Sequence, residues 1–234
     1  MDKKTADKLI DKTRDDYNLI AEQFASTRKF NWNDTTRPID ELGLKEGDKV
    51  LDLGCGNARL YELLKRYRVK YFGIDISEEL IKIAKRNVPT GHFEIGNIVE
   101  ISHDNNFFDS VISIAVIHHV PTEKLRQETL NEIFRITKPG GKIMITAWYF
   151  WETKKFLALI NSAEKYGLPF GDFYMPWKTG DGEKVTERYF HAWKIDELYD
   201  ALEKSGFINI DVRQSLKSSN KPGYNLVATA QKPK

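Results

Sequence analysis

Apolar residues recur at helical spacing through the charged first stretch of the chain. Leu9, Ile10, Tyr17, Ile20, Ala21 and Phe24 fall on one side of residues 3–25, which predicts an amphipathic helix. From Lys49 the texture changes to short apolar runs separated by amphipathic segments. Val50–Leu53, Tyr71–Ile74, Phe93–Ile95, Ser110–Ala115 and Ile143–Trp148 predict five buried strands. Helices are expected at Arg59–Tyr67, after Ser77, and at Pro121–Thr137. Ser77 is a suitable N-cap, with Glu78 and Glu79 in the positive first turn behind it. Lys138-Pro139-Gly140-Gly141 predicts a stop and a turn. Residues 149–190 are aromatic-rich and less regular, Ile195–Ser205 predicts a helix, and 207–213 with 224–231 predict a closing pair of strands. Regular strand–helix alternation implies an α/β fold, a parallel sheet with helices on both faces. The whole of 1–234 reads as one domain, with an elaborated loop after the fifth strand.

Composition narrows this picture only a little. The 234 residues are 41% hydrophobic and 30% charged, enough to bury one core and too apolar for disorder. The formal charge of +2 is unevenly spread: residues 1–211 hold 31 basic and all 34 acidic residues, and 212–234 hold five basic residues and no acid. Such a basic end favours a polyanion or simply solubility. The single cysteine, Cys55, excludes an intramolecular disulfide and a multi-cysteine metal site, and no metal is expected. With no long apolar run and no apolar leader after Met1, the expectation is a soluble, cytoplasmic protein.

The strongest chemical signal is Asp52-Leu53-Gly54-Cys55-Gly56-Asn57, placed where the first strand turns into the first helix. Glycines there let the backbone approach a ligand that a Cβ would repel. Asp75, 21 residues beyond Gly54 at the end of the second strand, is placed to accept hydrogen bonds from two ribose hydroxyls. A dinucleotide and S-adenosylmethionine both use such a site. The dinucleotide pattern needs a glycine where Arg59 stands, which disfavours it.

The D-L-G-C-G-N run resembles motif I of class I S-adenosylmethionine-dependent methyltransferases. That resemblance covers about 49–232 and implies a Rossmann-like, seven-stranded, mostly parallel sheet with an antiparallel last strand. It implies S-adenosylmethionine as cofactor, contacted by Asp52, Gly54, Cys55, Gly56, Asp75, Ile76, Asn97, Ile98 and Ala115. Asn97 stands where many members have Asp, and Ala58 where many have Gly. His118-His119, at the end of strand four, is shared by many small-molecule methyltransferases.

Features outside this common core are similar to the wobble-uridine tRNA methyltransferases, which convert 5-carboxymethyluridine into its methyl ester. They are Tyr17–Phe24 with Ser26, Thr27, Arg28 and Trp32; Ser113–His119 with Thr122 and Arg126; Gly171-Asp172-Phe173-Tyr174-Met175-Pro176-Trp177; and Arg188-Tyr189-Phe190-His191-Ala192-Trp193 before Glu197-Leu198. Met175, Phe190, Trp193 and Asp196 depart from that family's usual residues. The resemblance implies tRNA as substrate, a lid in residues 1–40 and a substrate-recognition insertion at 149–190. It also implies a small zinc-binding activator subunit as a possible partner; neither DNA nor a membrane is expected.

A carboxylate nucleophile is ionised at neutral pH and needs no general base, only a cation, a dry wall and anchors for the nucleotide. Arg28 matches the family's substrate arginine, and a guanidinium suits a carboxylate bidentately. His118 would donate a hydrogen bond or shape the pocket, and Asp172 would bind base or ribose groups. Trp177 and Tyr189 serve either as core aromatics or as stacking platforms, and His191 either as a structural or a substrate residue. Two rivals stand beside this reading: a small-molecule methyltransferase, which leaves the Asp172–Trp177 and Arg188–His191 runs unexplained, and a non-catalytic S-adenosylmethionine- or tRNA-binding regulator.

Overall fold

The computed structural model describes residues 1–27, 36–152, 154–180, 182–216 and 222–234. Its main sheet has seven strands in the order β3-β2-β1-β4-β5-β9-β8. They are β1 (Lys49–Leu53), β2 (Lys70–Asp75), β3 (His92–Ile95), β4 (Phe108–Ile114), β5 (Thr137–Trp148), β8 (Ile208–Leu216) and β9 (Pro222–Gln231). The first five are parallel, and β9 runs antiparallel to both β5 and β8. The expected antiparallel strand is therefore present, inserted between β5 and an edge strand β8.

Alternation along the strands explains why both faces are covered. Leu51, Leu53, Val111, Ile143, Ile145, Leu226 and Ala228 join one core. They meet Leu130 and Ile133 of α5 (Glu123–Ile136) and Leu198 and Leu202 of α7 (Ile195–Lys204). Val50, Ile112, Met144 and Val227 face the other way, onto Ile39 of α2 (Thr36–Glu41) and Ile81 and Ala84 of α4 (Glu78–Asn87). With both faces sealed, only the C-terminal ends of the parallel strands remain for chemistry.

Three local expectations are corrected. The helix expected over 59–67 is reduced to α3 (Tyr61–Leu64) and a 3₁₀ turn at 65–67. Ala58 and Arg68, with φ of 61° and 54°, bound it in left-handed backbone. The Pro-Gly-Gly run does not separate helix from strand. Strand β5 begins at Thr137 opposite Phe108, and the run forms an irregularity before pairing resumes at Ser110–Lys142. The stretch 149–190 is also more regular than its composition suggests. After α6 (Lys154–Ile160), β6 (Asp172–Lys178) and β7 (Lys184–His191) form an antiparallel hairpin of their own. Aromatic side chains on both of its faces hide the usual alternation, and Pro176 sits in a strand that a two-stranded sheet tolerates.

The hairpin carries its own core of Phe150, Ile160, Phe173 and Phe190. Polar groups tie it to α7: Asp172 Oδ1 lies 2.6 Å from His191 Nδ1, and His191 Nε2 lies 2.8 Å from Glu197 Oε1. Arg126 of α5 adds a guanidinium 3.6 Å from Glu197. Helix α1 (Lys3–Thr27) crosses the strand ends and is held on two sides. Asn18 Oδ1 accepts from the Ser77 hydroxyl at 2.7 Å, and Asp16 Oδ1 accepts from the Thr186 hydroxyl of β7 at 2.6 Å. Among the described residues no helix is long and apolar enough to cross a membrane.

Removing the imidazole that bridges two carboxylates leaves buried, uncompensated charge. His191→Ala is expected to cost about 3–5 kcal/mol of unfolding free energy in urea denaturation. An unchanged midpoint would show that the cluster does not hold the hairpin.

Candidate active site

A cavity opens where β1, β2 and β4 end, under α1 and beside β7. Its wall includes Gly54, Gly56, Asp75, Ile76, Ile98 and Ala115 from the sheet side, and Tyr17 and Phe24 from α1. His118, His119, Trp148, Arg188 and Phe190 close the far side, and Arg59 also lines it.

The glycine loop is shaped by its hydrogen bonds. Gly54 and Cys55 N–H groups both donate to the Ile74 carbonyl, at 2.7 and 3.0 Å. Gly56 N–H donates to Asp75 Oδ2 at 2.8 Å, and Ser77 N–H to Asp75 Oδ1 at 2.9 Å. Gly54 takes a φ of +78°, and a Cβ there would lie 2.2 Å from Val116 Cγ2. Ala58, where many relatives of motif I carry Gly, adopts the left-handed conformation that makes glycine the easier choice.

Asp75 is buried, and desolvation raises its pKa against the pull of backbone donors. Each of its oxygens accepts one loop N–H and keeps a further lone pair for a hydroxyl. A cradle that a Cβ would fill, a buried carboxylate at its edge and the apolar Ile76 and Ile98 fit S-adenosylmethionine.

Three residues expected to touch the cofactor lie outside this wall. Asp52 is buried and accepts a hydrogen bond from the Tyr71 hydroxyl at 2.5 Å. Burial pushes its carboxyl up to about 7, although that hydrogen bond opposes the shift. Cys55 is buried in the core beneath the loop, where desolvation raises its thiol. Asn97 accepts the Val99 N–H through Oδ1 at 3.1 Å, beside the wall residue Ile98.

On the far side the two histidines have different partners. His119 Nδ1 lies 2.7 Å from the Tyr189 carbonyl and therefore donates to it. Its Nε2 accepts from the Tyr17 hydroxyl at 2.8 Å. Burial, with the nearby Arg188 charge, lowers its pKa to about 3, so it is neutral. His118 is stacked on Phe190 at 4.9 Å and accepts the Trp148 N–H through Nδ1 at 3.3 Å. Burial lowers its pKa well below the ordinary range, so its remaining proton resides on Nε2.

Of the described residues expected to handle substrate, His118 alone lines the cavity. Asp172, Tyr189 and His191 are buried within or behind the hairpin. Trp177 lies near the end of α1, where its Nε1–H donates to Gln23. Arg28 lies outside the described residues. Among the lining side chains that the motif reading did not place in the site, Tyr17 and Arg188 bear most on its chemistry. Both fall within quoted motifs, but only the antiparallel register of β7 turns Arg188 inward between Tyr189 and Glu187.

Comparison with known proteins agrees with the fold and loop. A protein-family model described as "Methyltransferase domain" matches residues 51–145. The tRNA (carboxymethyluridine(34)-5-O)-methyltransferase of Arabidopsis thaliana is 36% identical over 132 residues, covering 56% of this chain and 31% of its own length. Its Schizosaccharomyces pombe counterpart is 28% identical over 211 residues, covering 81% and 86% respectively. The chain thus spans about a third of the plant protein and most of the yeast one. A solved S-adenosylmethionine-dependent methyltransferase from Methanosarcina mazei aligns with a TM-score of 0.70 at 26% identity, over 84% of this chain and 97% of that one.

The seven-stranded fold, the cofactor cradle and the domain matched over 51–145 are those of class I S-adenosylmethionine-dependent methyltransferases. Within that class this chain is similar to the wobble-uridine tRNA methyltransferases.

The raised pKa of Asp52 has a consequence for stability. The folded chain holds that proton more tightly than the unfolded chain, whose carboxyl titrates near 3.8. The resulting stability is complete below that value and is lost as pH rises toward about 7. Urea denaturation without cofactor at pH 5, where most of that stability is still present, and at pH 8, about one unit above the raised value, should show a larger loss for the wild type than for Asp52→Asn. Equal losses would contradict the buried, neutral carboxyl.

Proposed function

We propose that the protein esterifies a carboxylate, that of 5-carboxymethyluridine at the wobble position of tRNA. The carrying observation is the lack of a free proton acceptor around the far side of the cavity. Among the described residues there, both His119 nitrogens are engaged, His118 Nδ1 is taken by a backbone N–H, and the Tyr17 hydroxyl gives its proton to His119. An amine or hydroxyl nucleophile must lose a proton, whereas a carboxylate arrives ionised. The names of the Arabidopsis and yeast relatives support the same substrate.

When bound, S-adenosylmethionine supplies a methyl group on a sulfonium; forming one O–C bond and breaking one S–C bond leaves two neutral products, an ester and a thioether. The chain contributes placement. Asp75 and the glycine loop fix the cofactor end, while Phe190 and Trp148 strip water from the other. His118 Nε2–H is the donor available to orient the substrate. Helix α1 serves as the lid, and the hairpin with its Asp172–His191–Glu197 cluster forms the substrate-recognition insertion. By the sequence resemblance, Arg28 is the substrate arginine. A small zinc-binding activator subunit belongs to the same proposal, resting on the sequence resemblance.

Labelled S-adenosylmethionine with tRNA bearing 5-carboxymethyluridine should give a methyl group that mild base releases. A base-stable product, or no incorporation, would refute esterification. Cofactor binding without turnover on any substrate would instead identify a regulator, and turnover on free small carboxylates but not tRNA would favour the small-molecule reading.

A further inference from the structure

Arg188 is a buried cation with very little to hold it. It is 4% exposed, and its Nε is buried without a hydrogen-bond partner. Nη1 donates to the Tyr17 hydroxyl at 3.1 Å, and no carboxylate among the described residues pairs with it. The guanidinium lies 4.9 Å from the Trp177 ring centroid, 5.2 Å from that of Phe190 and 5.8 Å from that of Tyr17. Ring contacts of this kind are weak beside the cost of desolvating an unpaired ion. Removing an ion from water without a counter-ion costs several kcal/mol. The side chain lines a cavity whose histidines are neutral and whose acid, Asp75, accepts from the glycine loop. An arginine kept in this state is incomplete until an anion joins it.

We propose that Arg188 is the anchor for the substrate's carboxylate. This deepens the proposed function and rests on it. Arg59, three residues beyond Gly56, lines the cavity from the side of the glycine loop. Arg188 comes from the opposite wall, on the hairpin, beside His118 and Phe190. The pairing also favours turnover. The substrate enters as an anion that satisfies the guanidinium, and the ester leaves neutral, so the charge that holds the substrate releases the product. Discrimination follows too. The uncharged amide, 5-carbamoylmethyluridine, has nearly the same shape and would leave Arg188 buried and unpaired.

The test compares binding of tRNA carrying the 5-carboxymethyl acid with tRNA carrying the 5-carbamoylmethyl amide, in competition on the full chain. Wild type should prefer the acid by about 10–100-fold. Arg188→Met should abolish that preference while S-adenosylmethionine affinity by calorimetry stays within about twofold, and Arg188→Lys should keep part of it. A preference that survives in Arg188→Met overturns the assignment, as does an equal loss of cofactor affinity, which would move Arg188 to the cofactor. If the methionine variant does not fold, the wild type and Arg188→Lys decide, since equal wild-type binding of acid and amide refutes the anchor. Failure of the wild type to form a base-labile methyl on the acid-bearing tRNA is a separate result, and it removes the esterification reading itself.

Discussion

One phenolic hydroxyl joins the three parts of the chain that make the site. Tyr17, on the N-terminal helix, accepts from Arg188 of the hairpin and donates to His119 at the end of the fourth strand. Its proton can go only one way, because the guanidinium has no acceptor and His119 Nδ1 must donate to a carbonyl. The hydroxyl therefore fixes the histidine tautomer, closes α1 over the strand ends and helps hold Arg188 toward the cavity. Loss of any partner would loosen the others, since the three elements meet there without a continuous backbone ladder.

The cofactor half of the site is legible in the chain because it is local. A glycine loop, an acid at the end of the next strand and a serine cap follow one another within 24 residues of Gly54, and their hydrogen bonds stay within that span. Strand alternation likewise reveals the doubly covered sheet, since Leu51 and Val50 must face opposite layers. Asp52 and Cys55 mark the limit of the motif. They stand in the same run as Gly54, yet their side chains turn into the core.

The substrate half is harder to read because it is assembled from distant segments. Arg188 sits in a run recognisable by resemblance, but its role depends on which face of β7 meets the cavity, and that face is set by pairing with β6. Aromatic residues on both sides of the hairpin erase the alternation that would have shown it. Asp172 and His191, conspicuous as polar residues in an apolar stretch, meet each other and Glu197, so chemistry-bearing residue types there hold architecture. The Pro-Gly-Gly run misleads for a related reason: its neighbours in the sheet accommodate an irregular strand where an isolated segment would turn.

Together these features describe a cavity that supplies charge and dryness and takes no proton. That is the central claim, and the rate of methyl transfer in a single turnover, measured in water and in heavy water, tests it most directly. A nucleophile that arrives ionised has no proton in flight, so the two rates should agree. A markedly slower transfer in heavy water would reveal a proton leaving the nucleophile in the transition state and would contradict the account.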